Sequence, residues 1–204
     1  MPNHIRPASR DDAAALAFLI NEAGEGLPMH FWAQSDPVKA GEMDAWEYGA
    51  SRAARDEGDF SWRNAWVVEK DGEVAAMLLG FVIEAADIDL EEIPEIVRPL
   101  VKLEQEAAGS WYINAIAVRP ELRGAGMGSE LLGLAHALAI EAGCTEVSLQ
   151  NFTHNADARR LYHRIGFEER FREPMPRIEG LPDFGESILH VMPVNRELAG
   201  RFVD

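Results

Sequence analysis

The sequence is poor in the features that mark several functional classes. Its 204 residues hold one cysteine, Cys144, so no intramolecular disulfide can form and a secreted, disulfide-stapled fold is excluded. Positive charge is scarce. Nineteen lysines and arginines stand against 35 acidic residues, a formal net charge of −16, which argues against nucleic acid or an anionic membrane as partner. The longest apolar run, 75–83, is too short to span a bilayer, and the opening MPNHIRPASR lacks an apolar signal region. No two histidines stand at metal-ligand spacing, so no metal is implied. Internal repeats and low-complexity tracts are missing as well. A soluble, cytoplasmic protein forming a single domain over 1–204 is expected. Cys144, between Gly143 and a strand, is expected to be an inert, buried thiol.

What is present centres on 111–129, WYINAIAVRPELRGAGMGS. An apolar strand over 111–118 runs through Arg119-Pro120 into a glycine-rich loop that opens a long helix over 127–142. Gly124, Gly126 and Gly128 alternate with Ala125 and Met127, so the backbone can take positive φ and approach a ligand closely. The unpaired N–H groups at the helix start and the helix dipole favour an anion there, such as a phosphate or pyrophosphate. A P-loop would need Gly-Lys-Ser/Thr and a dinucleotide site G-x-G-x-x-G, and neither occurs.

A second stretch, 155–167, begins with Asn155, carries Leu161-Tyr162 and closes in Gly166-Phe167. Asn155 and Tyr162 are seven residues apart, close to two helical turns, so both can face one slot. A phenol is protonated at neutral pH and can donate a proton. His163 is turned about 100° from Tyr162, toward solvent.

The order and spacing of these two stretches resemble the signatures of the GNAT N-acetyltransferase superfamily. The resemblance covers 111–167 and implies an α/β (α+β) fold: a mixed, mostly antiparallel central sheet with splayed parallel central strands and helices on both faces. It implies acceptor-side helices over about 10–58, an acyl-CoA core over about 111–167 and C-terminal strands over about 167–194. It also implies acetyl-CoA as cosubstrate. Arg123, Gly124, Ala125, Gly126, Met127, Gly128 and Ser129 would grip its pyrophosphate, and Asn155 would contact the pantetheine arm. Ile116, Ala117 and Val118 would offer main-chain groups to that arm and to the developing oxyanion. Tyr162 would be the general acid. Arg119, Arg123, Arg159 and Arg160, with the loop amides, would shield the polyanionic cofactor from the acidic chain.

The implied activity is acetyl transfer from acetyl-CoA to a primary amine by direct attack, with a small cationic or amino metabolite favoured as acceptor. A protein N-terminus or lysine, and a catalytically silent acyl-CoA sensor, remain alternatives. A homodimer is compatible with the sequence. The family's usual strand carboxylate is missing: the corresponding region shows Asn114, Gln150 and Asn151, none of which takes a proton at physiological pH. Glu84 is a distant substitute. Four of the five tryptophans, Trp32, Trp46, Trp62 and Trp66, precede residue 70. Some of them are expected to wall the acceptor side and the rest to be core.

The remaining elements are read locally. A strand is expected over 5–8, then a helix capped by Ser9 with Asp12 and running to about Glu22. Gly24, Gly26 and Pro28 are expected to end it, before an irregular stretch over 29–37 and a helix over 42–57. Strands over 66–69 and 73–84 flank a hairpin turn at 70–72. An acidic connection over 87–109 should contain a helix starting near Pro94 or Pro99. Strands follow over 145–152, 167–172 and 187–194.

Overall fold

The computed structural model describes residues 4–202; the ends of the expected domain, 1–3 and 203–204, lie outside them. In chain order the elements are β1 (His4–Pro7), α1 (Ala13–Ala23), α2 (Leu27–Ala33), α3 (Asp36–Lys39), α4 (Ala45–Ala53), β2 (Ala65–Lys70), β3 (Glu73–Val82), α5 (Arg98–Gln105), β4 (Trp111–Val118), α6 (Met127–Glu141), β5 (Glu146–Phe152), α7 (Ala156–Ile165), β6 (Glu168–Pro174), β7 (Glu186–Pro193) and α8 (Arg196–Ala199). The chain divides into two compact units, 1–80 with 114–133, and 81–113 with 134–204. Four of the five strand pairings described below are antiparallel and one is parallel. This is the mixed, mostly antiparallel pattern expected.

In the first unit β1, β2 and β3 pair antiparallel, with a bulge at Val68/Glu69. The β2–β3 turn places Asp71 and Gly72 at positive φ, 53° and 83°, as the tight hairpin requires. Asp12 receives Nη1 and Nη2 of Arg6 at 2.8 and 3.0 Å and the amide of Ser9 at 2.7 Å. These bonds hold its carboxyl down at about 2, the Arg6 hydrogen bonds contributing most. Helix α1 buries Leu16, Ala17, Leu19 and Ile20, the spacing of one helical face.

The region after α1 differs from expectation. Helix α2 occupies much of the stretch read as irregular, and Pro28 sits in its first turn instead of terminating α1. A proline there costs nothing, because the N–H it lacks has no intrahelical acceptor. The second expected helix is shorter, Ala45–Ala53, and begins at an Asp44 cap whose carboxylate accepts from the Glu47 amide at 2.8 Å. Gly49 lets α4 approach Trp32; a Cβ there would meet the indole ring at 2.5 Å. Trp32 and Trp46 meet edge-on at 6.1 Å, and Trp46 stacks at 6.2 Å on Phe18. Trp32 belongs to the core and Trp46 is 44% exposed.

In the second unit Trp111–Ile113 of β4 run parallel to Val147–Leu149 of β5, β5 pairs antiparallel with β7, and β7 with β6. One face packs Leu189 and Val191 of β7 with Tyr112 of β4 against Leu103 of α5 and Ala107 just beyond it. Helix α5 starts at Arg98 and carries Pro99, one of the two prolines expected near its start, in its first turn. On the other face α7 places Tyr162 against His190 of β7, and His136 of α6 meets Phe167. Helices thus cover both faces of these strands. Gly166 closes α7 at φ 117°, the left-handed cap read from the sequence. Among the described residues no helix is long and apolar enough to cross a membrane.

Candidate functional site

The first unit carries the glycine loop. Gly124 and Gly126 sit at φ 81° and 86°, a conformation that side chains oppose. A Cβ built on Gly124, Gly126 or Gly128 would meet nothing within 4 Å. These glycines therefore do not relieve internal crowding; they keep the loop low on its outer side. Gly124, Ala125, Gly126 and Ser129 are exposed, while Met127 as a residue is 1% exposed. Among the described residues the amides from Gly124 to Ser129 reach no backbone carbonyl at good hydrogen-bond geometry, and the first such donor of the turn is Glu130, to Gly126 O at 3.1 Å. N–H groups so placed at the start of a 15-residue helix can hold an anion without side-chain charge.

The arginines behave differently from expectation. Arg119 donates through Nε to Val74 O at 2.7 Å and lies 4.9 Å over the Phe18 ring. Arg123 holds Val118 O through Nε at 3.2 Å and Glu22 through Nη2 at 3.0 Å. Arg159 binds Glu169 at 2.7 Å, and Arg160 pairs with Asp157. Each guanidinium expected to shield an anion thus already has a partner: a carbonyl and a ring for Arg119, and a carboxylate for Arg123, Arg159 and Arg160. The loop's affinity for anions falls to its amides and the helix dipole. Along β4 the buried positions Ala115 and Ala117 alternate with half-buried Ile116 and Val118, as a strand with one covered side should.

The second unit carries the phenol. Tyr162 is 8% exposed and lies between Phe167 at 5.9 Å and His190 at 5.7 Å, at interplanar angles of 64° and 56°. Asn155 caps α7, its Oδ1 accepting from the Ala158 amide at 3.1 Å. The cap points the helix and so orients Tyr162, two turns on. His163 is exposed, as its helical position implied.

The residues in place of the absent carboxylate separate onto two faces. Gln150 donates to Leu100 O at 3.0 Å and accepts from Ser187 Oγ at 3.0 Å, which ties α5 to the strands. Asn151, on the opposite face of β5, accepts from His190 Nε2 at 2.7 Å. Nδ2 of Asn151 and Nδ1 of His190 have no hydrogen-bond partner among the described residues, and an unmatched buried polar atom costs about 1–3 kcal/mol. Burial pushes His190 down to about 4, with Glu169 opposing the shift and Arg159 and Arg172 adding to it. His136, also fully enclosed, is pushed to about 4 by burial alone. His190 had no signal in the sequence beyond being a lone polar residue in the strand ESILHVMP. Only the β5–β7 register, which pairs Leu149 with His190 and Asn151 with Ile188, puts it beside Asn151.

Glu84 is exposed. Cys144 is half-buried and its thiol is pushed up by burial, which opposes nucleophilic use. Among the described residues no group of three or more histidine, cysteine or acidic side chains is placed to hold a metal.

Comparison with known proteins matches residues 31–167 to the acetyltransferase (GNAT) family. The chain is 34% identical over 82 residues to N-alpha-acetyltransferase MAK3 of Arabidopsis thaliana, covering 40% of this chain and 43% of that one. It is 31% identical over 93 residues to thialysine N-epsilon-acetyltransferase of Bos taurus, covering 44% and 48%. The chain thus spans less than half the length of these curated relatives. A crystal structure of an acetyltransferase superposes with a TM-score of 0.63 at 20% identity, covering 94% of this chain and 100% of the other; that likeness is one of fold.

Proposed function

We propose that this chain, which belongs to the acetyltransferase (GNAT) family, moves an acetyl group from acetyl-CoA to the primary amine of a small cationic or amino metabolite. The observation that carries the reading is the loop from Gly124 to Ser129, whose glycines leave open space outside them and whose amides reach no backbone carbonyl at good hydrogen-bond geometry among the described residues. Those features fit a pyrophosphate. The loop would hold it, and main-chain groups from Ile116 to Val118 would align the pantetheine arm and donate to the oxyanion that develops as the amine attacks. The amine nitrogen forms the new N–C bond as the C–S bond breaks, and Tyr162 gives its proton to the departing thiolate. No covalent enzyme intermediate is required. Asn155 adds a contact to the pantetheine arm while capping α7.

The acceptor side is supported by the aromatic group Phe18, Trp32 and Trp46 of the N-terminal helices. The exposed Trp46 ring offers a face to an alkylammonium. The curated relative that acts on thialysine is consistent with an amino metabolite. The relative named an N-alpha-acetyltransferase supports a peptide N-terminus as the second acceptor.

Calorimetric titration with acetyl-CoA, coenzyme A and NADH tests the cofactor half, and thiol release with diamines, amino acids and N-terminal peptides tests the acceptor. Binding of acetyl-CoA without NADH, and turnover on small amines over peptides, is the expected result. Binding with no turnover on any amine would leave the acyl-CoA sensor. Tyr162→Phe should lower kcat about 100-fold with the acetyl-CoA Kd unchanged; an unchanged kcat would remove Tyr162 from the acid role.

A further inference from the structure

The loop and the phenol leave one half of the chemistry unassigned: the proton that the attacking amine must lose. The second unit contains a group suited to it. Asn151 and His190 are 9% and 2% exposed, joined by the 2.7 Å contact between Oδ1 and Nε2. With Oδ1 accepting, Nε2 carries the ring proton and Nδ1 is left as a bare lone pair. That nitrogen and Asn151 Nδ2 are unpartnered among the described residues.

Polar groups on the other face of the same strands are arranged otherwise. Ser110 meets Ser148 at 2.5 Å, and Gln150 is used at both its oxygen and its nitrogen. The Asn151–His190 pair instead leaves one ring nitrogen without a partner among the described residues, in an imidazole whose centroid lies 5.7 Å from that of Tyr162. A second buried histidine, His136, provides a control. Its Nδ1 accepts the Asn195 amide at 3.2 Å, so its equally unpartnered Nε2 carries the ring proton and offers no lone pair, and its described ring contact is with Phe167.

We infer that His190 is the proton-relay partner of Tyr162, held by Asn151 as the Nε2–H tautomer so that Nδ1 takes the proton released by the amine and returns it to the phenolate. The inference rests on the reading of Tyr162 as the acid. The protons balance without an outside donor. The amine loses one proton to Nδ1 as its N–C bond forms, Tyr162 gives one to the thiolate as the C–S bond breaks, and the imidazolium passes its proton to the phenolate. The ring begins and ends neutral, and nothing is oxidised or reduced. Burial keeps the His190 ring neutral before each turnover, so the Nδ1 lone pair is present when the amine attacks. The charged and titratable groups around it are Tyr162 and Arg159 from α7, and Glu169 and Arg172 from β6. The last three form one ion-pair cluster, Arg159–Glu169–Arg172.

The test uses the full chain and the best amine found in the thiol-release panel. His190→Phe, which keeps the packing against Tyr162, and His190→Gln, which can still donate to Asn151 but cannot take a proton, should both lower kcat about 100-fold. The acetyl-CoA Kd should stay within about twofold, and thermal melts identify any variant that fails to fold. His136→Gln should leave kcat alone. Asn151→Asp places a carboxylate on Nε2–H and favours the imidazolium. The acid limb of its kcat–pH profile should therefore move up by at least about one pH unit from that of the wild type, and the limb should vanish in the double variant with His190→Gln. Imidazole 15N shifts should show Nδ1 free of a proton at pH 7. If folded His190→Gln keeps wild-type kcat while Tyr162→Phe does not, the relay is wrong and the acid stands. If neither variant affects turnover, or no amine is acetylated, the reading of Tyr162 and the relay fall together. A fixed acid limb in Asn151→Asp, or a protonated Nδ1, overturns the relay alone.

Discussion

The glycine loop of the first unit and the Tyr162 cluster of the second are built on opposite physical terms. The loop is exposed, nearly free of functional side chains, and presents backbone amides that a short stretch of sequence determines by itself. The cluster is closed to solvent, made of side chains, and assembled from Asn151 on β5, Tyr162 on α7 and His190 on β7. One recognises charge through dipoles that carry no titrating group. The other depends on where protons sit, which burial and neighbours control. A site made of amides tolerates pH and is broken by sterics, whereas a site made of buried titratable groups tolerates modest steric change and is broken by a misplaced proton.

The largest effect should come from filling the loop. Gly126→Asp puts a Cβ at φ 86° and a carboxylate among the amides meant for an anion. Acetyl-CoA affinity should fall at least about 100-fold through strain and repulsion combined. Because a Cβ there meets no protein atom within 4 Å, the fold should survive, and a thermal melt within a few degrees of wild type would show it. Retained binding, measured by calorimetry, would mean that the loop is a packing turn and would erase the contrast with the cluster.

The same contrast explains what could be read in advance. The loop, the α7 cap, the Gly166 stop and the β2–β3 hairpin are local: the residues that make each lie within a few positions of one another, and the sequence displays their chemistry directly. Helix α2 escapes a local reading because Pro28, which looks like a terminator, sits in the first turn of the next helix. The ion pairs of the arginines escape it too, because their partners, Glu22 for Arg123 and Glu169 for Arg159, are distant in sequence. His190 was invisible for the same reason. Asn151 and His190 are 39 residues apart and meet only through the β5–β7 register, while periodicity alone makes His190 one more inward-facing strand residue.

Acid should separate the two units next. His136 and His190 have folded values near 4, below the value of about 6.5 for an unfolded chain. Between these the unfolded state binds more protons, so the stability contributed by keeping both rings neutral is complete above about pH 6.5 and is lost as pH falls toward 4. Each ring should account for about 3 kcal/mol across that window. Asp12 in the first unit, held at about 2 by Arg6, has the same sign but a lower window. Its contribution persists above the ordinary carboxylate value near 4 and is lost only as pH falls toward 2. Hydrogen exchange at pH 7, 5.5 and 4.5 should therefore show β5 and β7 amides losing protection while those of β1 and β2 hold. Equal loss in both sets would mean that the buried imidazoles are not what acid attacks. Restored protection of β5 and β7 in His136→Phe would assign that share of the effect to one ring.

The smallest effect tests the residue that belongs to both descriptions. Asn155 is a local capping device, legible in the sequence, and also the proposed contact for the pantetheine arm. Its Oδ1 already accepts from the Ala158 amide, so Asn155→Ala should cost about 1 kcal/mol of stability. Asn155→Asp keeps the cap, since a carboxylate accepts the same amide and suits a helix N-terminus, but it removes the side-chain N–H donors. If Asn155 only aims α7, the aspartate variant should match wild type in melting temperature, acetyl-CoA Kd and kcat. If it also grips the arm, the aspartate variant should keep its melting temperature and lose about tenfold in acetyl-CoA affinity, the loss of one or two hydrogen bonds. The second outcome is the expected one if Asn155 contacts the pantetheine arm as proposed.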